Sequence, residues 1–334
     1  MSKEGVDAAS LLFRSGYNHV QYIKPSADLE PTLYAGKVES TVITLLLDIF
    51  GITPKDIINK TATFRSCTAF NLQWRAYDEV LDEVRFTTDP VTEVDLESIP
   101  VYHKYVKRIV TGEEGMQIAL DSIFKAIPQS APNFKQRMDR AEGLLAAYRS
   151  RVAATANNPL YHGGDILTYP LALQSKDDVT GYLGEIGAGL CSLLLDVDDS
   201  ETVELFKRAS VAMQFGDDLL DWRKDLNDYK QRKDTSTKPI RPVENLLVAT
   251  LAENSTEKND CEAHLTDARQ RSVLWLKELA PNTLELFKSR FQNELDRLPP
   301  HRYTDTLKGI ISLTFYKLLP LAPESGWFFK WAKY

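Results

Sequence analysis

Twelve consecutive residues near the middle of the chain carry much of the information about its fold: Gln214-Phe215-Gly216-Asp217-Asp218-Leu219-Leu220-Asp221-Trp222-Arg223-Lys224-Asp225. Within this stretch Asp217, Asp221 and Asp225 recur every four residues. Residues four apart lie on one face of an α-helix. Leu219 and Leu220 place apolar side chains away from that face. The stretch therefore predicts a helix with a line of carboxylates on one side.

Helical signals extend outward from this stretch. No proline falls between residues 54 and 90, 170 and 239, or 242 and 281, and proline breaks helix interiors. We expect long helices in these gaps and connections near 157–170, 227–242, 253–258 and 299–303. Apolar residues follow helical intervals at Leu194, Val197, Leu205, Ala209, Met213 and Leu220. The fold class is predicted to be all-α, with residues 1–334 forming a single domain because no linker-like segment is found.

A second acidic stretch lies at residues 78–83. Asp78 and Asp82 share one helix face, and Glu79 and Glu83 form a second pair rotated by about 100°. Like charges at this spacing cost roughly 0.2–0.5 kcal/mol per pair, and a bound cation would reverse the sign. Carboxylates in such lines suit Mg²⁺, which prefers oxygen ligands and keeps waters that phosphate oxygens can replace.

Each acidic stretch also has a plainer interpretation as a solvated helix face. Arg75 is placed to pair with Glu79, and Lys224 with Asp221, and such pairs would account for part of the charge without a metal. The presence of both stretches, each on an expected long helix with apolar residues close by, favours a shared metal site.

These residues resemble the two metal-binding motifs of the class I terpenoid synthase superfamily, in their order and in their separation along the chain. The first motif, DDxx[DE], reads Asp78-Glu79-x-x-Asp82 in this chain. The second motif of the cyclases, [ND]-D-x-x-[ST]-x-x-[KR]-[DE], matches residues 217–225 except that Asp221 replaces the hydroxyl residue. That departure also makes the stretch similar to the second motif of prenyl diphosphate synthases. Within the superfamily, the chain most resembles the fungal humulene-type sesquiterpene cyclases.

The resemblance implies a helical bundle around a central apolar cavity and a cyclase that turns farnesyl diphosphate into a sesquiterpene hydrocarbon. It implies three Mg²⁺ ions per site, with Asp78 and Asp82 also acting in catalysis. The implied metal ligands are Asp78, Asp82, Asp217, Asp218, Asp221 and Asp225.

The same resemblance places Arg302 and Tyr303 before a terminal helix as diphosphate ligands, and Lys176 near the position of the family's diphosphate-sensing arginine. Lys230 is expected on a basic loop that closes over the site. Trp74 precedes Asp78 by four residues and is the expected carbocation-stabilising aromatic. Phe70 and Phe215 are expected to line the cavity, although an aromatic on a helix is more often part of the core.

Four glycines at 181, 184, 187 and 189 permit two interpretations. The family has a broken helix in this region, whereas small residues also permit close helix packing. The alternative functions are a prenyl diphosphate synthase, a squalene- or phytoene-type coupling enzyme, and a non-catalytic helical scaffold. The stretch Ala35-Gly36-Lys37-Val38 lacks the arginine that chain elongation uses.

The composition and charge of the chain limit the classes of binding partner that we expect. The chain has 40 basic and 47 acidic residues, a net charge of −7 and a pI near 5.4, so nucleic acid is not an expected partner. No apolar run is long enough to span a bilayer and no signal peptide is evident, so neither a transmembrane segment nor export is expected. Three scattered cysteines favour a reducing, cytoplasmic location. The expected partner is a prenyl diphosphate. The sequence leaves the oligomeric state open, with a homodimer as one candidate.

Overall fold

A computed structural model describes residues 133–156, 166–195, 200–235, 242–265 and 272–318. The regular structure within these ranges is helical, and the β-type pairing found there is an isolated bridge between Ile166 and Val243. The all-α prediction is therefore confirmed for the part of the chain that the structure describes. The first acidic stretch, residues 78–83, lies outside these ranges.

The described residues form nine α-helices. In chain order they are α1 (Phe134–Ala156), α2 (Tyr169–Lys176), α3 (Tyr182–Leu195), α4 (Ser200–Thr235), α5 (Leu246–Ala252), α6 (Ser255–Ala263), α7 (Ser272–Leu279), α8 (Pro281–Asp296) and α9 (Thr304–Leu313). A π-helical turn, Asp177–Gly181, joins α2 to α3, and a second one, Thr314–Leu318, follows α9. No described helix combines the length and the apolar character that crossing a membrane requires.

Contacts divide the described residues into two compact units. The first unit holds the described parts of 154–184 and 204–327, and the second holds those of 7–153 and 185–203. The prediction of a single domain over residues 1–334 stays a prediction.

Aromatic rings form the centre of the first unit. Phe215 of α4 is fully buried, with its ring centroid 5.1 Å from that of Phe287 and 5.8 Å from that of Phe291. Phe291 stacks on Phe315 at 3.9 Å. Such ring pairs contribute about 0.5–1.5 kcal/mol beyond the burial of their area. This cluster anchors the apolar side of α4 and leaves its acidic side facing away.

In the second unit, α1 is tied to the end of α3. The Arg137 Nε donates to the Leu193 carbonyl oxygen at 2.8 Å. Gly189 lies close enough to α1 that an added Cβ would meet Leu144 Cδ1 at 3.1 Å. A side chain at this position would require Leu144 to move by a few tenths of an ångström.

One expected helix boundary was wrong. The connection predicted over 227–242 does not begin at 227, because α4 continues to Thr235 through good helix formers such as Lys230 and Gln231. The break predicted near 253–258 is confirmed, since α5 ends at Ala252 and α6 begins at Ser255. Asn245 and Asn254 mark the starts of α5 and α6, where their side chains accept backbone N–H groups.

The glycine-rich segment stays helical, although a π-helical turn, Asp177–Gly181, interrupts the α-helix before Tyr182. Backbone angles stay right-handed through the π-helical turn between α2 and α3. Gly184 instead allows a close approach to α4, since an added Cβ would lie 2.3 Å from Ser210 Oγ and 2.6 Å from the Phe206 carbonyl oxygen. Of the two interpretations, close packing is the one that the structure shows at this position.

Candidate metal and diphosphate site

The acidic line on α4 consists of Asp217, Asp221 and Asp225. Asp217 is exposed, and Asp221 and Asp225 are half-buried. Leu219 and Trp222, which lie between them in sequence, are buried almost completely. Packing of these apolar side chains fixes the rotation of α4 about its axis. The three carboxylates are thereby kept on a common, partly accessible face, as the sequence predicts.

Asp218 differs from the three residues of the line. It is 4% exposed, and its Oδ1 lies 3.1 Å from Lys176 Nζ. Its Oδ2 accepts the Leu246 backbone N–H at 2.7 Å. Burial raises the pKa of Asp218 to about 7, against the opposing effects of Lys176 and the Leu246 N–H. Both oxygens of this predicted metal ligand are therefore already engaged by the protein.

Lys176 closes the end of α2 and reaches α4. Besides the Asp218 carboxylate, its ammonium group donates to Gln214 Oε1 at 3.2 Å. Burial lowers the Lys176 pKa, but Asp218, Glu244 and Asp217 together outweigh it, and the net direction is upward. The structure therefore brings together two residues that sequence analysis placed in the site for separate reasons.

Asn245 links the acidic line to α5. Its Nδ2 donates to Asp225 Oδ2 at 2.9 Å and to the Asp218 carbonyl oxygen at 3.0 Å. Sequence reasoning missed this residue. An asparagine ahead of the apolar run 246–251 is a recognisable helix start, but that signal does not reveal a contact with a different helix.

The electrostatics of the line show crowded negative charge. Partial burial raises the pKa of Asp221 to about 6, and the neighbouring carboxylates of Asp217 and Asp225 add to the effect. Burial also raises the pKa of Asp225, with the Asn245 amide opposing it. A cation bound at this face would relieve the repulsion.

The donor chemistry of the line fits a hard divalent cation, because it consists of carboxylate oxygens. Among the described residues, however, no three Asp, Glu, His or Cys side chains converge on a point that could hold a metal ion. A complete site would therefore need ligands from elsewhere in the chain, for which residues 78–83 are the candidates.

A cleft of about 260 Å³ lies along α4 beside Asp221. Its walls mix charged and apolar side chains: Leu220, Asp221, Arg223, Lys224, Asn227, Asp228 and Leu265. This mixed, open cleft is not the deep apolar cavity that the resemblance implies. That cavity stays a prediction.

The remaining predicted site residues fall in three places. Arg302 and Tyr303 form the turn before α9, with the Arg302 guanidinium 4.9 Å from the Tyr303 ring centroid. Lys230 lies on α4 rather than on a loop, about 140° around the helix from Asp225, and its Nζ is 3.5 Å from Glu262 Oε2 on α6. Phe215 lies in the aromatic core with no exposed surface, so it lines no open space in this structure.

Asp78, Asp82, Trp74 and Phe70 lie outside the described residues. Their roles stay predictions from the sequence. The same holds for the cytoplasmic location and for the homodimer.

Comparison with known proteins gives a weak structural likeness. The chain is similar to a crystal structure of a polyprenyl synthetase from Streptomyces coelicolor A3(2), with 14% sequence identity and a TM-score of 0.47. The likeness covers 93% of this chain and 98% of that one. No protein family matches the sequence, and no curated protein matches it. A likeness at this score carries no argument about function.

Proposed function

We propose that the protein is a Mg²⁺-dependent class I terpene cyclase that converts farnesyl diphosphate to a sesquiterpene hydrocarbon, with humulene as the candidate product. The observation that carries the proposal is the line of Asp217, Asp221 and Asp225, held on one face of α4 by the buried residues between them. The raised pKa of Asp221 supports it, because this face holds negative charge that a cation would stabilise.

Magnesium bound to these carboxylates and to the first acidic stretch would stabilise the negative charge that grows on the diphosphate as its C–O bond breaks. The Lys176 ammonium, fixed by Asp218 and Gln214, adds positive charge beside the line. Arg302 and Tyr303 are proposed to donate hydrogen bonds to the diphosphate. Lys230 would have to exchange its contact with Glu262 to do the same.

Ionisation leaves an allylic cation that must be shielded from water. Trp74 and Phe70 are proposed to face this cation and to stabilise it through their ring faces. The released diphosphate is proposed to accept the proton whose loss ends the cyclisation.

The alternative function is prenyl coupling, either chain elongation or joining of two prenyl chains. The observation that favours it is Asp221, which gives the second motif the DDxxD form of prenyl diphosphate synthases. The missing arginine after Lys37 counts against elongation.

One experiment separates these functions. Purified protein is incubated with farnesyl diphosphate and Mg²⁺, with and without isopentenyl diphosphate, and the products are analysed by gas chromatography–mass spectrometry after phosphatase treatment. A volatile C15 hydrocarbon supports the cyclase. A prenyl alcohol longer than farnesol that requires isopentenyl diphosphate supports elongation, and a C30 product from farnesyl diphosphate alone supports joining of two chains.

Asp217→Ala tests the site itself. Loss of one metal-binding carboxylate should reduce turnover by roughly a thousandfold, because several kcal/mol of transition-state stabilisation depend on the metal. The helical circular dichroism spectrum should not change. Glu201→Ala, an exposed acid in the first turn of the same helix, is the control and should retain activity. Wild-type turnover in Asp217→Ala would remove this residue from the site.

A further inference from the structure

Every hydrogen-bonding group of the Asn245 side-chain amide has a partner. The two hydrogens of Nδ2 go to Asp225 Oδ2 and to the Asp218 carbonyl oxygen. Oδ1 accepts the backbone N–H groups of Leu247 and Val248, each at 3.0 Å. The side chain is 3% exposed, so water does not compete for these four bonds. Together they hold the amide in one orientation.

The orientation of the amide follows from the start of α5. Helix N-termini present N–H donors and therefore require an acceptor, which places Oδ1 against the helix and turns Nδ2 towards α4. A neighbouring contact strengthens this arrangement. The backbone N–H of Leu246, the first residue of α5, donates a hydrogen bond to Asp218 Oδ2. The start of α5 thus holds two carboxylates of the acidic motif at once.

The hydrogen bond from Asn245 restricts the orientation of the Asp225 carboxylate. Its Oδ2 is engaged by Asn245 at 2.9 Å, whereas its Oδ1 has no hydrogen-bond partner among the described residues. A carboxylate held by one oxygen loses rotational freedom, while the other oxygen stays available as an acceptor. Groups that orient a metal-binding side chain in this way commonly change metal affinity roughly 10- to 100-fold when they are removed.

We propose that Asn245 is a positioning residue, which fixes the Asp225 carboxylate for divalent-cation binding by the acidic line. This inference rests on the proposed function, because it assumes that the line binds a cation. It goes beyond that function in giving a residue outside both acidic motifs a defined role in the site.

The plain alternative is that Asn245 acts as a helix cap alone. The chain offers a matched comparison in Asn254, which caps α6 by accepting the Glu257 N–H at 3.3 Å. Among the contacts described for Asn254, none reaches α4. Serine replaces asparagine well as a cap, yet it is too short to span from α5 to Asp225. Asn245→Ser and Asn254→Ser therefore both keep a cap, and the first removes the bridge.

The test measures binding of Mn²⁺ alone, as a stand-in for Mg²⁺, by isothermal titration calorimetry on the full chain without substrate. Asn245→Ser should weaken Mn²⁺ binding roughly 10- to 100-fold, and Asn254→Ser should stay within about twofold of wild type. Thermal unfolding of each variant, followed by circular dichroism, shows whether it is folded. Asn245→Thr, which also keeps a cap, serves if the serine variant does not fold.

A second measurement isolates the contact with Asp225. In an Asp225→Ala background, adding Asn245→Ser should cause no further loss of Mn²⁺ affinity, since the group that it positions is gone. An equal loss in both backgrounds would overturn the inference, as would wild-type affinity in Asn245→Ser. If wild-type protein binds no Mn²⁺, the proposed function and this inference fall together. If wild type binds and Asn245→Ser binds equally well, the inference alone falls.

Discussion

Two acidic regions of the first unit differ in the number of hydrogen bonds that their carboxylates accept from the protein. Glu257 of α6 lies at the start of α8, where its Oε1 accepts the backbone N–H and side-chain amide of Asn282 at 3.0 and 2.8 Å. Its Oε2 accepts the N–H and hydroxyl of Thr283 at 2.8 and 2.6 Å. Asp221 of the acidic line accepts no hydrogen bond from the described residues and has two carboxylates beside it.

The pKa values follow this difference. Burial alone would raise the pKa of Glu257, but its four hydrogen bonds outweigh burial and hold the pKa below the ordinary value. The pKa of Asp221 rises to about 6. A carboxylate that serves the fold is supplied with donors by the protein, whereas Asp221 lacks them and Asp225 has a donor at one oxygen only, so the acidic line is suited to a ligand from outside. By its hydrogen bonds Asp218, whose two oxygens are engaged, belongs with Glu257, but burial outweighs these contacts and raises the pKa of Asp218 to about 7.

The largest expected effect tests that assignment of Asp218. Lys176→Met leaves a buried carboxylate without its cation, which typically costs about 3–5 kcal/mol. The side chains of Lys176 and Asp218 are 16% and 5% exposed. We expect the free energy of unfolding in urea at pH 7 to fall by that amount. Lys288→Met is the control, since Lys288 pairs with the exposed Glu285 and should cost less than about 1 kcal/mol. Equal losses in the two variants would place Asp218 with the acidic line instead.

A smaller loss of stability is expected when the close contact between Gly184 and α4, the helix that carries the acidic line, is disturbed. Gly184→Ala places a Cβ against the Phe206 carbonyl and Ser210 Oγ of α4, and such overpacking costs about 1–3 kcal/mol. Calorimetric unfolding should show a lower melting temperature. Gly143→Ala, with nothing within 4 Å of the added Cβ, should be neutral or raise stability by up to about 1 kcal/mol. A melting temperature unchanged by Gly184→Ala would show that the backbone around Gly184 separates easily from α4, and that the line is less firmly held than Glu257.

The smallest expected effect is a difference in how the carboxylates of the two regions change the free energy of unfolding with pH. Because the folded-state pKa of Glu257 is lowered, its contribution is present above the ordinary glutamate pKa and is lost as pH falls through the folded value. Glu257→Gln should therefore cost about 1 kcal/mol at pH 7 and nothing at a pH where both states are protonated. Urea unfolding at a series of pH values measures this difference.

Asp221→Asn should show the opposite sign in protein free of divalent cations. Its folded-state pKa is raised, so the charged carboxylate destabilises the fold above about pH 6, and protonation restores stability as pH falls through that value. The asparagine variant should be the more stable one at pH 7, and the difference should shrink in acid. A stabilising contribution of Asp221 at pH 7 would contradict the contrast with Glu257.

Much of this arrangement could be predicted because it depends on local periodicity. Four-residue spacing alone places Asp217, Asp221 and Asp225 on one face, and the apolar residues around them predict α4. The sequence did not predict that α4 continues beyond residue 227, because charged residues such as Lys230 occur in helices as readily as in solvated loops. The break near 253–258 could be predicted, and it lies where α5 ends and α6 begins.

Other features depend on contacts between segments distant in sequence. The engagement of Asp218 by Lys176 joins residues 42 positions apart, and no spacing rule distinguishes it from its neighbour Asp217. The role of Gly184 depends on which atoms of α4 face it. The placement of Phe215 in the aromatic core depends on Phe287 and Phe291, which belong to a helix much later in the chain.

The length of α4 has a consequence for the acidic line. The helix has 36 residues and is about 54 Å long, and the line lies several turns from either end. The partial charges at helix ends act within about one turn, so the backbone dipole neither assists nor opposes the carboxylates. Their charge is governed by burial and by neighbouring side chains. Exchanging an exposed neighbour such as Lys224 is therefore a route to retuning cation affinity while the helix stays as it is.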